Sequence, residues 1–243
     1  LEGSVQAAGN KIRVTAQLIQ AETGYHLWSG NFDRELDDVF AIQDEIAEEV
    51  VSALQVSLGD EDAARLARRE TNNIDAFREY SLALREIDEY DFDSLDRAMG
   101  HLDKAIEIDP GYALAWAMKS LTYRHMLIVG SRSYGEYKQD TRAAATRALE
   151  LDPSLPLAIA LIAELDYDEA RHDAALSAIQ RAVDLAPNDA NVAGIHASIL
   201  LDDLKPFEAA DVRVRALELD PLSIPLHQEA VGALGRIGRV EEA

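Results

Sequence analysis

Six histidines, at positions 26, 101, 125, 172, 196 and 227, are the residues best able to hold a metal or move a proton. No two share the i, i+4 spacing that sets a pair of imidazoles on one helix face, and none lies in a His-Glu-x-x-His motif. They read as surface or packing histidines. The acidic run Asp88-Glu89-Tyr90-Asp91-Phe92-Asp93-Ser94-Leu95-Asp96 is dense enough to suggest calcium. It lacks the central glycine and closing glutamate of an EF-hand loop, and reads instead as a corner between two helices. Ser131 and Ser133 have no paired base and no nucleophile-elbow glycines. Gly130 and Gly135 lack the Gly-Lys-Ser/Thr ending of a phosphate loop. With no cysteine, thiolate catalysis, disulfides and Cys-based zinc sites are excluded. No catalytic residue, metal ligand or cofactor site is nominated, and Trp28 and Trp116 are assigned to cores rather than to binding platforms.

The bulk composition points away from nucleic acid. Formal charge is −22 over 243 residues, which repels a phosphate backbone over most of the surface. It is compatible with a basic partner, but an acidic surface that only keeps the protein in solution is the favoured account. The chain is 48% hydrophobic but 6% aromatic, so alanine and leucine rather than rings must fill its interior. No stretch approaches the ~20 apolar residues of a membrane-spanning helix and no signal peptide is visible, which suits a cytoplasmic location. The chain opens without Met at Leu1-Glu2-Gly3-Ser4-Val5 and closes on Glu241-Glu242-Ala243 inside a helical pattern. It is expected to be a piece of a longer protein.

Two kinds of element must position any site. In residues 1–36, Ile12, Val14, Ala16 and Leu18 alternate with Arg13, Thr15 and Gln17, the period of a half-buried strand. Gly9-Asn10 and Ala21-Glu22-Thr23-Gly24 supply turns, so a three-stranded meander is predicted. Val39, Ile42, Ile46, Val50 and Leu54 then recur at helical spacing, with Asp37 or Asp38 as N-cap. So thin a unit is expected to need further strands. A boundary is placed between about Leu58 and Asn73, with Thr71-Asn72-Asn73 opening the next helix near Ile74.

Beyond it a phrase recurs: Ala105–Pro110, Ala148–Pro153, Ala182–Pro187 and Ala216–Pro221. Three of the four copies end in Asp-Pro; the third reads Ala186-Pro187. The last two intervals are 34 residues and the first is 43. A constant period of this length marks stacked helical hairpins. Each proline falls just past a helix, where it cannot continue the hydrogen-bond ladder. The longer first interval is assigned to Met126–Gly135, as a longer loop or an extra turn on both helices.

Residues 74–243 resemble tetratricopeptide repeats. The resemblance rests on Trp116, Ser120, Tyr123 and Ala148 in one repeat, Ala163, Ala175, Ile179 and Ala182 in the next, and Ala197, Ala209 and Ala216 in a third. Leu234–Ala243 is similar to the hairpin of a cut fifth repeat. Arg213 stands where the family has a large apolar residue, so packing there is expected to be disturbed. Leu1–Val5, Arg13–Ile19, Gly24–Trp28 and Phe40–Ile46 are similar to the TolB-like amino-terminal domain. That domain accompanies tetratricopeptide arrays downstream of class III adenylate or guanylate cyclase domains, or of winged-helix DNA-binding domains. The two resemblances imply a mainly α protein, a right-handed α-solenoid preceded by a small partial α/β unit. They divide it into 1–58 (the end of the TolB-like domain), 59–73 (a linker) and 74–243 (four repeats plus a truncated fifth).

By the same resemblance, partners bind the concave surface, through Leu114, Ala117, Leu121, Arg124 and His125, then Leu157, Ala160, Glu164, Tyr167 and Asp168. Asn191, Gly194, Ser198, Leu201 and Asp202 follow, with Gln228 and Arg236 from the cut repeat. The basic carboxylate clamp of chaperone-binding relatives is not reproduced. Acids at Glu164, Asp168 and Asp202 suit an extended or helical segment carrying Lys or Arg, or another domain of the parent chain. The implied role is non-catalytic interaction and regulation in bacterial signalling.

Overall fold

The computed structural model describes residues 1–9, 11–21, 23–35, 39–54, 70–130 and 133–238. The chain divides into two compact units, residues 1–74 and 75–243. In the first, β1 (Glu2–Ala8), β2 (Lys11–Ile19) and β3 (His26–Glu35) form an antiparallel sheet in that order, followed by α1 (Val39–Ala53). The alternation in β2 buries Ile12 and Ala16, and Phe32 and Ile42 complete a small core, with Val14, Trp28 and Ile46 against it. Gly9 and Gly24 take the left-handed φ of 63° and 68° that their turns require. Trp28 is half-buried and its indole donates to Glu49 at 2.8 Å, so it is core on one side and wet on the other. The expected caps Asp37 and Asp38 lie outside the described residues, as does most of the expected linker.

The second unit is a run of nine described helices: α2 (Ile74–Glu89), α3 (Phe92–Ile108), α4 (Ala113–Ile128), α5 (Tyr134–Leu151), α6 (Pro156–Asp168), α7 (His172–Leu185), α8 (Ala190–Asp202), α9 (Pro206–Leu219) and α10 (Ile224–Ile237). They are the stacked hairpins that the repeat period predicts. From α3 onward consecutive helices pack, and α6 also touches α4 and α8, the first helices of the neighbouring hairpins. Burial follows from this. Helix α6 is covered on nearly every side, whereas α7 buries only the stripe Ala175, Ile179, Ala182. The small residues at Ser120, Ala163, Ala197, Ala175, Ala209, Ala105, Ala148, Ala182 and Ala216 are all fully buried, where only short side chains let helix axes approach.

The recurring phrase works as a stop and a turn. The N–H of Asp109, Asp152, Ala186 and Asp220 makes the last helical bond, to the carbonyl of Ala105, Ala148, Ala182 and Ala216 respectively. The following proline has no N–H to offer. The aspartate side chain then reaches across it: Asp109 accepts from Gly111 N at 3.0 Å, Asp152 from Ser154 N at 3.0 Å and Asp220 from Leu222 N at 3.3 Å. Ala186 has no carboxylate, and Asp189 caps α8 instead, accepting from Asn191 N and Val192 N. The longer interval is distributed over the hairpin. Helices α4 and α5 have 16 and 18 residues, against 13 and 14 in each of the next two hairpins, and their connection is longer as well.

Candidate functional site: the inner face of the array

The inner face is built by the first helices of successive hairpins, and one guanidinium organises it. Arg124 lies on the last full turn of α4 and is buried. Its Nε donates to both carboxylate oxygens of Glu164 on α6, at 3.0 and 2.9 Å. Its Nη1 donates to Glu229 on α10 at 3.1 Å and its Nη2 to Ser198 Oγ on α8 at 2.9 Å. Arg213, from the outer helix α9, reaches the same place: it donates to Ser198 Oγ at 2.9 Å and pairs with Glu229. Tyr137 on α5 donates its hydroxyl to Glu164 at 3.2 Å. Two cations and two anions thus close a neutral cluster that ties α4, α6, α8, α9 and α10.

This is how a buried charge is tolerated, since a guanidinium out of water must be both paired and hydrogen-bonded. Burial opposes the charge on Arg124, Glu164 with the neighbouring Tyr137 and Tyr90 together more than offset this, and the group is held above its ordinary value. Burial and Glu164 push the Tyr137 phenol up, so it remains a donor. Gly194 makes the approach possible. A Cβ there would stand 3.2 Å from Leu226 Cδ2 and 3.7 Å from Arg213 Nη1. The expectation of disturbed packing at Arg213 is corrected here: the side chain is buried and its charge is met by Glu229.

Most residues expected to line an open groove are inside this seam. Ala117, Leu121, Arg124, His125, Leu157, Ala160, Glu164, Tyr167 and Gly194 are buried; Leu114, Asn191, Ser198 and Leu201 are half-buried. Asp168, Asp202 and Gln228 are exposed, and the Arg236 side chain lies outside the described residues. Glu164 is therefore committed to Arg124 and Tyr137, and Asp168 accepts from the Tyr134 hydroxyl at 2.8 Å. Burial and Asp168 push that phenol up to about 12. Gln228 is not part of the cluster; its neighbour Glu229 is. The remaining space beside Leu121, Arg124, His125 and Leu226 is a cavity of about 10 Å³, room for one water.

Sequence reasoning missed Tyr90, Tyr137, Arg213 and Glu229 as members of this face. An arginine at an apolar repeat position was the one visible trace. Tyr90 comes from the corner between α2 and α3 and packs edge-on against His125, ring centres 5.0 Å apart. His125 is buried, and burial with the neighbouring Arg124 pushes its imidazole down to about 3. The acidic run around Tyr90 is the expected corner: Asp91 caps α3, accepting from Ser94 N at 2.8 Å. Ser133 likewise caps α5 in a reciprocal pair with Glu136. Trp116 is half-buried against the core, its indole donating to Pro110 O at 3.3 Å. Among the described residues no group of His, Cys, Asp and Glu is placed to hold a metal ion, and no helix is long and apolar enough to cross a membrane.

No family model matches the chain. A protein of Rhizobium meliloti (strain 1021) named "Putative adenylate cyclase 3" is 35% identical over 181 residues, 71% of this chain. The matched region is 30% of that protein's length, so the chain spans less than a third of it. Among solved structures, a thermophilic TPR protein of Thermus thermophilus is similar over 66% of this chain and 82% of its own, at 16% identity and a TM-score of 0.49. Pseudomonas aeruginosa pilF is similar over 69% of this chain and 71% of its own, at 18% identity and a TM-score of 0.43.

Proposed function

We propose that this chain is a non-catalytic interaction and regulatory region of a bacterial signalling protein. Its hairpins present side chains on a rigid curved stack, and a protein or peptide is the ligand. The observation that carries the reading is the 35% identity, over 71% of the chain, with part of a protein named as an adenylate cyclase, in a chain whose helical array is tied together by a structural charge cluster. In this reading residues 1–58 end a TolB-like domain, 59–73 link it to the array at 74–243, and the protein works in the cytoplasm. The array gates a class III adenylate or guanylate cyclase domain elsewhere in the parent chain.

A basic partner segment would meet Asp168 and Asp202, the expected acids that stay exposed, at the rim rather than on the floor of the face. The test is cyclic AMP production by the parent cyclase domain with this chain attached, removed, or added in trans. Equal rates in all three would sink the gating role. A change in promoter-DNA binding by an attached winged-helix domain would favour the effector half of a transcription regulator instead. Asp168→Lys with Asp202→Lys is expected to weaken capture of a Lys/Arg-rich segment; unchanged capture removes the basic-partner reading.

A further inference from the structure

Four corners of the array share one geometry. At Tyr90, Gly130, Ala170 and Leu204 the N–H bonds the carbonyl three residues back, at 3.0–3.2 Å, and φ is positive: 52°, 78°, 61° and 58°. Glycine adopts this backbone freely, while other residues are strained by about 1–2 kcal/mol. Ala170 and Leu204 tolerate it at the surface, with Leu204 87% exposed. Tyr90 does not resemble them. Its side chain is 6% exposed and turned onto the inner face, against His125.

We propose that the inner face carries a seat for an aromatic side chain of a partner, and that Tyr90 fills this seat from within the chain. The inference rests on the reading of the array as a partner-binding surface. The seat fits a ring, with the His125 imidazole edge-on to it and the guanidiniums of Arg124 and Arg213 close enough to act on the Tyr90 phenol. It serves the hydroxyl badly. Tyr90 Oη and His125 Nδ1 are both buried with no hydrogen-bond partner among the described residues. A buried hydroxyl without a partner costs about 1–3 kcal/mol. Backbone strain and an orphaned hydroxyl thus both favour release of a ring that packing alone retains. A partner aromatic that also hydrogen-bonds His125 Nδ1 is better held than Tyr90, and displaces it.

The chain contains no cysteine, so one introduced thiol reports opening cleanly. Leu121→Cys places it in the cavity beside the seat, and Ala182→Cys places a control between helices α7 and α6 in the array core. Tyr90→Gly empties the seat and relieves the backbone, so the corner is expected to hold. Maleimide labelling of the Leu121→Cys thiol should rise about tenfold or more, with the control unchanged. Millimolar p-cresol, the free tyrosine side chain, should slow labelling again in Tyr90→Gly but not with Tyr90 present. Unchanged labelling, an equal rise at the control, or no effect of p-cresol overturns the proposal. No partner enters the assay, so its failure is separate from any failure to find one.

Discussion

The buried cluster at Arg124 and the more exposed cluster at the α6–α7 corner are made of the same residue types. At the corner, Arg171 pairs with Asp166 and Glu169, and Arg142 reaches the same two acids. On the inner face, Arg124 and Arg213 pair with Glu164 and Glu229. The contacts are alike, but the surroundings differ. Water can replace any partner that Arg171 loses, and nothing replaces a partner lost inside the seam. Connectivity differs too. The Arg171 pairs are local and Arg142 reaches only from one helix to the next, while Arg124 reaches Glu229, 105 positions away.

Breaking the inner cluster should produce the largest effect. Arg124→Met is expected to cost about 3–5 kcal/mol in urea unfolding, since it leaves Glu164 buried without a cation and Glu229 with Arg213 alone. Adding Glu164→Met should recover part of that loss, because a balanced pair is then removed. A double variant no better than the single would mean the two residues do not share one energetic unit.

Next in size is a pH effect. His125 is neutral in the folded chain, its pKa pushed from 6.5 down to about 3, while the unfolded chain protonates it near 6.5. Between those values the unfolded state binds the extra proton, so stability is full above pH 6.5 and falls as pH drops toward 3. The slope approaches about 1.4 kcal/mol per pH unit. His125→Phe keeps a ring against Tyr90 and removes the titration. Between about pH 6.5 and 5 the wild type should therefore lose stability relative to the variant. Parallel curves would mean that the imidazole is not held neutral.

The corners offer a smaller test. Ala170→Gly and Leu204→Gly should each raise stability by about 0.5–1 kcal/mol, relieved strain exceeding the entropy that glycine adds to the unfolded chain. Tyr90→Gly has the same backbone gain but forfeits a buried ring, so it should lower the melting temperature. The smallest effect belongs to the exposed cluster: Arg171→Met should leave the unfolding midpoint unchanged. A loss there comparable to that of Arg124→Met would erase the distinction between the two regions.

The repeats were legible because their causes are local. Pro110, Pro153, Pro187 and Pro221 stop helices wherever they stand, and small residues a repeat apart mark where axes approach. The alternation through β2 reported its buried face for the same reason. The inner face was legible only as a set of positions. Counting by repeat picked Gln228, but a single step along a helix turns a side chain by about 100°, and Glu229 is the residue that points inward. The sequence by itself determined the hairpins, their stops and turns, and the small-residue contacts, all of which act within one period. Only the tertiary structure decided that Arg124, Glu164, Ser198, Arg213 and Glu229 meet, and that Tyr90 lies on His125. Those contacts depend on how far each hairpin rotates against the last, a quantity set by the sum of many small packing choices rather than by any motif.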